Sequence, residues 1–446
     1  MAIASPLRPQ ERNELLDAIR GFALCGILIL NMPGFSGPYQ WIFDFRLNSE
    51  TGLANRIMWY LQNFILEGSF RALFSMLFGA GVILLIGRLE GTLAGLRPAD
   101  VYYRRLIWLL IFGLINAWVI LWVGDILYCY AICGLFLFPF RNASPRLLIL
   151  LTVFFMAVLG FKSWLSTQDA IQLREKGMVA MALESKKDSL TTTQKADLAK
   201  WKERLESQKI ENLKKQARED SLEVNQSYSK VWVHYRQLNH DIQSVYLYDE
   251  FFFDALIFML LGMALFKLGI LTGNGPWWMY AAFVVVGYLG VCIWGYAYGR
   301  WWQRADFDLY RFLELNPLEI SLYQVRRLFA SFAHLGVLIL LWKSGAMKWV
   351  ITAFARVGQM AFTNYLMQSV ICTFIFFGYG LGLYGKIERY EQAYFIVGVW
   401  FFQILFSILW LTYFRFGPLE WAWRSLTYWK IQPLRKNSVL PPDSLP

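Results

Sequence analysis

The sequence predicts an all-α membrane protein, a polytopic bundle of about ten transmembrane helices with a polar helical insertion outside the membrane. Hydrophobic residues make up 57% of the 446 positions, and 18% of the positions are aromatic, including 20 tryptophans. Ten apolar runs approach the length of about 20 residues that crosses a bilayer as a helix. Charged residues cluster between these runs, so the chain also carries an orientation signal.

The ten runs are joined by polar connections and place both termini on one side of the membrane. The run at 126–141 is short for a span, so we expect it to be tilted or to lie where the bilayer is thin. We divide the chain into a first half of the bundle (1–165), an insertion (166–250), a second half (251–414) and a cytoplasmic interfacial helix with its tail (415–446). The runs lie near 14–33, 69–87, 105–123, 126–141, 146–165, 251–271, 277–298, 326–343, 361–379 and 392–414.

Positive charge sets the predicted orientation. With the N-terminus inside, the inner segments carry 17 Lys and Arg against 7 Asp and Glu, whereas the outer segments without the insertion carry 11 of each. Arg20 supplies the remainder, so the net charge of +11 lies on the inner side or at its edge. This positive-inside pattern predicts a multi-pass membrane protein with both termini cytoplasmic. The basic balance therefore reports topology and does not indicate nucleic-acid binding.

The cysteines do not indicate disulfides or a metal site. The chain has five, an odd number, and all lie in apolar runs. Cys129 and Cys133 share a helical face, but no histidine or further cysteine completes a metal-binding set. We expect small core residues and no metal.

The insertion differs from the rest of the chain in its charge. Residues 166–250 contain 14 basic and 14 acidic residues and no long apolar run. Two polar helices are predicted, at about 168–188 and 192–223. Thr191 and Gln194 have the spacing of a capping box at the start of the second. Such a charged hairpin is typical of a solvated face or a docking surface.

The first span contains charges that membrane spans usually lack. Asp17 and Arg20 are three residues apart and close enough to pair on a helix. Asn31 lies about 16 Å further along the same helix, near the other mouth of the membrane. Ionisable residues at such depth usually face a bundle interior or a wet cavity. A structural ion pair that orients the helix and a functional cavity are both consistent with this pattern.

Further polar residues lie within or beside the other spans. Glu67 precedes the second span, Asn116 lies in the third, and Asp125 lies in a short outer turn after it. His334 lies in the eighth span, and Asn364 and Gln368 share one face of the ninth. A carboxylate at the outer mouth would suit a general base if an apolar wall raised its pKa. The alternatives are helix capping and loop hydrogen bonds for the carboxylates, and bundle packing for His334.

The tail from Phe416 to Lys430 is predicted to form an interfacial helix. Pro418 suits a first helical turn. The Trp and Tyr cluster beside Arg424 and Lys430 suits the headgroup layer, so a membrane anchor is the simplest interpretation.

Several of these motifs, taken together, resemble the YeiB-like family of bacterial membrane proteins. The resemblance extends over nearly the whole chain except 166–250. It rests on Leu16-Asp17-Ala18-Ile19-Arg20-Gly21-Phe22 with Asn31, Leu73-Phe74-Ser75-Met76-Leu77-Phe78-Gly79, Gly124-Asp125-Ile126-Leu127 with Tyr130-Ala131, Leu260-Leu261-Gly262-Met263-Ala264-Leu265, Gly358-Gln359-Met360-Ala361-Phe362-Thr363-Asn364-Tyr365 and Phe416-Gly417-Pro418-Leu419-Glu420-Trp421.

This family is similar to the heparan-alpha-glucosaminide N-acetyltransferase group of transmembrane acyltransferases, whose first helix also carries Arg, ten residues and then Asn. The resemblance implies that an acyl group passes from cytoplasmic acyl-CoA to an acceptor outside. Arg20, with Arg104 and Arg105, would hold the donor, and Asn31 would lie near the transfer site. That group uses a histidine in the loop after the first helix, whereas residues 34–66 here contain none. The base would then be Asp125, as our first choice, or Glu67, Asp44 or a distant histidine.

A transporter or a lipid-binding membrane protein would use the same polar cavity, formed by Asp17, Asn116, Asn364, Gln368 and His334. An acyltransferase requires a basic cytoplasmic pocket for the CoA phosphates, and a transporter does not. The expected partners are membrane lipids and an extracytoplasmic sugar or lipid acceptor. A homodimer is left open.

Overall fold

The computed structural model describes residues 13–48, 50 and 52–436. Within these residues the chain is all-α, and the only β pairing is an isolated bridge between Phe414 and Arg435. The end of the predicted tail, from residue 437 on, lies outside the described residues.

Eighteen α-helices make up the described chain, joined by short turns and single 3-10 or π-helical segments. Two of these segments, Leu61–Leu66 and Ile242–Phe251, are π-helical. The first group is α1 Glu14–Ser36, α2 Gln40–Phe43, α3 Leu53–Tyr60, α4 Ser69–Thr92, α5 Arg97–Trp118, α6 Leu127–Leu137 and α7 Pro145–Ser185. The second is α8 Thr192–Gln208, α9 Ile210–Val224, α10 Tyr228–Asp241, α11 Phe252–Lys267, α12 Trp277–Arg304 and α13 Leu309–Leu315. The third is α14 Tyr323–Ser344, α15 Lys348–Gln359, α16 Ala361–Phe376, α17 Gln392–Tyr413 and α18 Pro418–Tyr428.

Each of the ten predicted apolar runs coincides with a helix. Among the described residues, six helical stretches are long and apolar enough to cross a membrane: Glu14–Ser36, Leu53–Thr92, Pro145–Ser185, Trp277–Arg304, Tyr323–Ser344 and Arg389–Tyr413. The other four runs lie in α6, α11 and α16, which have at most 16 residues, and in α5, whose apolar stretch begins at Arg104 and Arg105. The short run at 126–141 is helical for only 11 residues in α6 before it tightens into a 3-10 turn.

The helices form a central group and a periphery. In α1, 72% of the most apolar window is buried, against 17% in both α7 and α12. The outward faces of α7, α12 and α17 carry large apolar side chains, such as Phe161, Ile293 and Phe401, each more than half exposed. A belt of this kind faces lipid in a membrane protein. α1 is therefore the helix best placed to line an internal site.

Glycines allow two pairs of central helices to approach at backbone distance. A Cβ at Gly21 would lie 1.9 Å from the carbonyl oxygen of Phe354, and one at Gly358 would lie 1.9 Å from that of Asp17. These contacts join α1 to α15. Gly262 on α11 makes the same approach to Met76 on α4. Small residues at such crossings are a common device of membrane helix packing, because van der Waals contact replaces the missing hydrophobic force.

The region 166–250 is helical, but it is divided into helices differently from the prediction. The run at 146–165 continues without a break to Ser185, so α7 is 41 residues long; it contains Gly160 and Gly177 but no proline after its first residue. The second predicted helix, 192–223, is two helices that meet at Lys209. The capping box is confirmed, since the Thr191 hydroxyl accepts from Gln194 N and the Gln194 side chain accepts from Thr191 N.

The bundle has two ends, the terminal end and the far end. The terminal end is where α1 begins and α18 packs on α5, and the far end is where α4, α11 and α14 begin. At the far end the segment between α1 and α4 is tied to the start of α17 by a buried ion pair. Arg389 Nε donates to Glu50 Oε2 at 2.9 Å, and both side chains are at most 3% exposed.

Candidate functional site

The predicted pair in the first span is confirmed. Arg20 donates from one guanidinium nitrogen to Asp17 Oδ1 at 2.7 Å, and the side chains are 29% and 11% exposed. Asp17 Oδ2 has no hydrogen-bond partner among the described residues. The pair therefore lies at the edge of the bundle, and one carboxylate oxygen of Asp17 can still accept a hydrogen bond. An ion pair that only orients a helix does not need such an acceptor.

Arg104 and Arg105 also lie at the terminal end, where α18 covers them. Arg104 donates to the Thr427 carbonyl at 3.1 Å and pairs with Asp100 on its own helix. The Arg105 guanidinium stacks on Trp423, with its central carbon 3.7 Å from the ring centre. In the described part of the chain, no carboxylate forms an ion pair with Arg105, and Arg20 is near enough for the two charges to repel. Arg20 and Arg105 are therefore a concentration of positive charge that the chain only partly neutralises.

Glu420 fixes α18 in this position. Its carboxylate accepts from Phe362 N at 2.8 Å, from Thr363 N at 3.0 Å and from the Thr363 hydroxyl at 2.5 Å. Burial raises the pKa of Glu420, and these three donors oppose the rise. The carboxylate sits at the N-terminus of α16, where the helix dipole favours a negative charge. The predicted interfacial helix, α18, thus also covers Arg104 and Arg105.

At the far end a second cluster of charges is buried between three helices. Asp254 Oδ1 accepts from the guanidinium of Arg327 and, at 2.9 Å, from the Gln324 amide. Arg71 Nε lies 3.3 Å from Asp254 Oδ2. The Arg327 side chain is fully buried, and its Nε donates to the Gly68 carbonyl at 3.0 Å. This cluster joins α4, α11 and α14.

Glu67 belongs to the same cluster. Tyr323 donates its hydroxyl to Glu67 Oε1 at 2.7 Å, and Arg326 donates to Oε2 at 2.9 Å. Arg71 in turn donates to the Tyr323 hydroxyl at 3.2 Å. Both carboxylate oxygens of Glu67 are therefore engaged within the far-end cluster.

The sequence reasoning missed Asp254, Arg326 and Arg327. The available signal was the same one that singled out Asp17: ionisable residues at the edges of apolar runs. Asp254 is the fourth residue of the run at 251–271, and the two arginines open the run at 326–343.

Asp125 lies in the turn between α5 and α6, as predicted, and meets Asn116. The Asn116 amide donates to Asp125 Oδ1 at 2.7 Å, and Tyr128 N donates to Oδ2 at 2.9 Å, which caps α6. Burial raises the pKa of Asp125 to about 6 despite these donors. A cavity of about 20 Å³ adjoins the carboxylate, room for about one water molecule.

One tyrosine bonds to Asp125 and another bonds to the backbone of the far-end cluster. The Tyr365 hydroxyl donates to Asp125 Oδ1 at 3.5 Å and accepts from Ile126 N at 3.1 Å. One helical turn on, Tyr130 donates to the Arg71 carbonyl at 3.1 Å and shares a 2.6 Å hydrogen bond with Ser75. Asp125 and the far-end cluster are thus each bonded by a tyrosine hydroxyl.

The other predicted site residues are not gathered there. His334 stacks on Phe70 and bonds Tyr288 through Nδ1 at 2.9 Å, in an aromatic pocket of its own. Asn364 and Gln368 share a face as predicted. That face packs on α17, where Asn364 donates to Ser407 at 3.0 Å and Gln368 to Gln403 at 3.0 Å.

Asn31 and Asp44 also stand apart. Asn31 is half-buried near the far end of α1, and none of the described residues links it to Asp125 by a hydrogen bond. Asp44 is bound by the guanidinium of Arg46 through both carboxylate oxygens, with its closest contact at 2.7 Å. It is therefore less suited to accept a proton than Asp125.

Comparison with known proteins identifies the family of this chain but does not identify an activity. The family model DUF418, described as a protein of unknown function, matches residues 265–430. An uncharacterised protein YxaH of Bacillus subtilis is 31% identical over 98% of this chain and its own full length. An uncharacterised protein YeiB of Escherichia coli is 30% identical over 94% of this chain and 96% of its own. No solved structure matches significantly. The chain therefore belongs to the YeiB-like DUF418 family and is a membrane protein.

Proposed function

We propose that the protein is a transmembrane acyltransferase, which takes an acyl group from cytoplasmic acyl-CoA and passes it to a hydroxyl-bearing acceptor on the other side of the membrane. The observation that carries this proposal is the partly neutralised pair of arginines at the terminal end. Arg20 is 29% exposed, and Arg105 stacks on Trp423 without a carboxylate partner in the described chain. Guanidinium groups that are only partly neutralised can bind the phosphates of CoA through charge-assisted hydrogen bonds.

The charge distribution supports the orientation that this reaction needs. The positive-inside pattern favours a cytoplasmic terminal end, where acyl-CoA would be available. We propose ten membrane crossings on this basis, with the four shorter or more polar helices counted among them. We also propose a location in the bacterial inner membrane. The far-end cluster and Asp125 would then face the outer mouth.

Asp125 is the residue best suited to act as the base. Its pKa of about 6 lies near the operating pH, as efficient proton transfer requires. It would take the proton from the acceptor hydroxyl as that oxygen attacks the thioester carbonyl carbon. The carbon–sulfur bond then breaks, and the CoA thiolate leaves and is protonated. Asn31, about 16 Å along α1 from Arg20, would orient the thioester carbonyl.

Binding and transfer measured on the same purified protein test the proposal. Wild-type protein should bind acetyl-CoA, and Asp125→Asn should abolish acyl transfer while acetyl-CoA binding is unchanged. Absence of acetyl-CoA binding, together with saturable movement of a solute in proteoliposomes, would contradict the proposal and favour a transporter.

The proposed topology has its own test. Single cysteines at Ser207, in the insertion, and at Ser438 in the tail should react with a membrane-impermeant thiol reagent from opposite sides of the membrane. Ser438 lies outside the described residues, so Ser425 on α18 serves as a second inner position. Because Cys292 is exposed, the label must be introduced in a cysteine-free background. Labelling of both positions from one side would show that the number of crossings is wrong by an odd number.

A further inference from the structure

A groove opens on the lipid-facing side of the bundle at the far end. It lies between α12 and the start of α14 and has a volume of about 390 Å³. Its walls are apolar: Gly290, Ile293 and Ala297 from α12, and Leu322 and Phe329 from the other side. Gly290 keeps it open, since a Cβ there would lie 2.8 Å from the Phe329 ring.

The groove opens sideways into the membrane and not toward water. Ile293 is 69% exposed, and Leu289 one turn earlier is 57% exposed. Both lie in a stretch of α12 with the length and hydropathy of a membrane span. The medium at this face is therefore hydrocarbon, and an acyl chain is the ligand that an apolar groove of this kind accepts.

The upper end of the groove is polar. Glu319 lies in the turn before α14 and is 9% exposed. Trp294 Nε1 donates to Glu319 Oε1 at 2.7 Å, and the Asn316 amide donates to Oε2 at 3.2 Å. Each carboxylate oxygen has two acceptor positions, so each retains one for a further donor. The two hydrogen bonds thus hold the carboxylate in place, and both of its oxygens can still accept a hydrogen bond from a ligand.

The charge at this polar end selects among lipids. A phosphate there would be repelled by Glu319, and Arg326, the cation that acts electrostatically on Glu319, already pairs with Glu67 at 2.9 Å. In an ethanolamine headgroup the ammonium would be attracted by Glu319, but the phosphate two carbons away would be repelled, so the two effects oppose each other. Sugar hydroxyls are neutral donors, and they fit a fixed carboxylate without this penalty.

We propose that this groove binds a glycolipid, with one acyl chain against Ile293 and Phe329 and headgroup hydroxyls donating to Glu319. This inference deepens the proposed function and rests on it for one point, that the bound lipid is the acyl acceptor. Binding itself needs no acyl-CoA. The groove adjoins the far-end cluster, since the Arg326 guanidinium also acts electrostatically on Glu319.

Photo-cross-linking tests the proposal. The full chain is reconstituted in phosphatidylcholine vesicles that contain a glucosyl diacylglycerol with a diazirine in one acyl chain. Separate vesicles contain phosphatidylcholine or phosphatidylethanolamine with the same diazirine chain. We expect the glycolipid probe to label peptides that contain Ile293 or Phe329 at least fivefold more than either phospholipid probe.

Two variants and a matched control locate the site. Ala297→Phe fills the groove and should reduce glycolipid labelling about tenfold. Val286→Phe adds the same side chain on the lipid-exposed face of α12 outside the groove and should leave labelling unchanged. Glu319→Gln should reduce the preference for glycolipid over phosphatidylcholine while keeping total labelling. Each variant must elute as a monodisperse peak before it is compared.

Equal labelling by all three probes, or labelling that Ala297→Phe leaves intact, would overturn the proposal. Preferential labelling by phosphatidylethanolamine would overturn the assignment to sugar hydroxyls. The groove and the acyltransferase proposal fail separately. Glycolipid labelling without acetyl-CoA binding would keep the groove and remove the reaction, whereas acyl transfer to a water-soluble sugar with no glycolipid labelling would do the reverse.

Discussion

The two ends of the bundle hold their charges in different ways. At the far end Arg327 and Asp254 are buried and bonded to each other, and Arg326 is satisfied by Glu67. At the terminal end Arg20 has one carboxylate partner and is 29% exposed, and Arg105 has an aromatic ring in place of a carboxylate. A buried, mutually bonded cluster fixes helices, whereas partly neutralised arginines attract an anion. We therefore expect the far-end cluster to hold helices together and the terminal end to bind an anionic ligand.

The largest expected effect comes from breaking the far-end pair. Arg327→Ala removes the buried arginine bonded to Asp254 and leaves only the half-exposed Arg71 to compensate that carboxylate; breaking a buried ion pair typically costs about 3–5 kcal/mol. We expect loss of most of the monodisperse protein in detergent, measured by fluorescence-detected size exclusion. Replacing both partners, as Arg327→Met with Asp254→Leu, should recover part of the folded protein, because the buried carboxylate is then gone and Arg71 keeps its hydrogen bond to Tyr323. A double variant as unstable as Arg327→Ala would show that the cluster does more than join helices.

The next effect concerns the terminal end. Arg20→Ala and Arg105→Ala should each weaken acetyl-CoA binding about tenfold to 100-fold, since a hydrogen bond to a charged group contributes about 1.5–3 kcal/mol. Their melting temperatures should change far less than that of Arg327→Ala. Arg97→Ala removes a charge at the start of α5 that no ion pair within the described residues holds, and it should leave the affinity unchanged. Equal acetyl-CoA affinities in all three variants would contradict the expectation that the terminal end binds the ligand.

The third prediction concerns the pH dependence of Asp125. Burial raises its pKa to about 6 from an ordinary 3.8, so the folded state binds this proton more tightly than the unfolded chain does. The stability that the group contributes is present below the ordinary pKa and is lost as the pH rises through about 6. Asp125→Asn does not ionise, and Asn116 Oδ1, which has no partner in the described chain, can accept from the new amide.

We therefore expect Asp125→Asn to melt about 1–3 °C above wild type at pH 7.5, since about 1 kcal/mol shifts the melting temperature by a few degrees. The difference should shrink toward pH 4.5, where the wild-type carboxyl is protonated. A difference that is constant with pH would show that the carboxyl is not the titrating group.

The smallest effect is expected on the charged helices between α7 and α10. Lys202 pairs with Glu184 at 2.6 Å, but both side chains are 49% exposed. Exposed pairs contribute about 0.2–1 kcal/mol. Lys202→Ala should accordingly change neither the melting temperature nor acetyl-CoA affinity beyond error. A large loss of stability would mean that this pair is shielded from water in the membrane-bound protein.

Local features of the fold were predictable because they depend on residues a few positions apart. The helices over all ten apolar runs, the pair between Asp17 and Arg20, the capping box at Thr191 and Pro418 in the first turn of α18 all follow from short-range spacing. The break at Lys209 was missed because no glycine or proline marks it.

The charge clusters depend on tertiary contacts and were not predictable from one sequence. Arg327 and Asp254 are 73 residues apart, and Arg71 and Tyr323 are 252 apart. Each was visible as a charge at the edge of an apolar run, but nothing in the sequence pairs them. The same limit applies to Arg105, whose contact with Trp423 depends on how α18 docks.

A sided transfer assay tests the central claim most directly. The protein is reconstituted in vesicles of known orientation that contain a glycolipid, and acetyl-CoA labelled in its acetyl group is supplied on one side only. We expect labelled glycolipid only when the donor is on the terminal side. We also expect labelling to be lost in Asp125→Asn and in Arg105→Ala. Labelling from the far side alone, or none from either side in protein that remains folded, would contradict the claim.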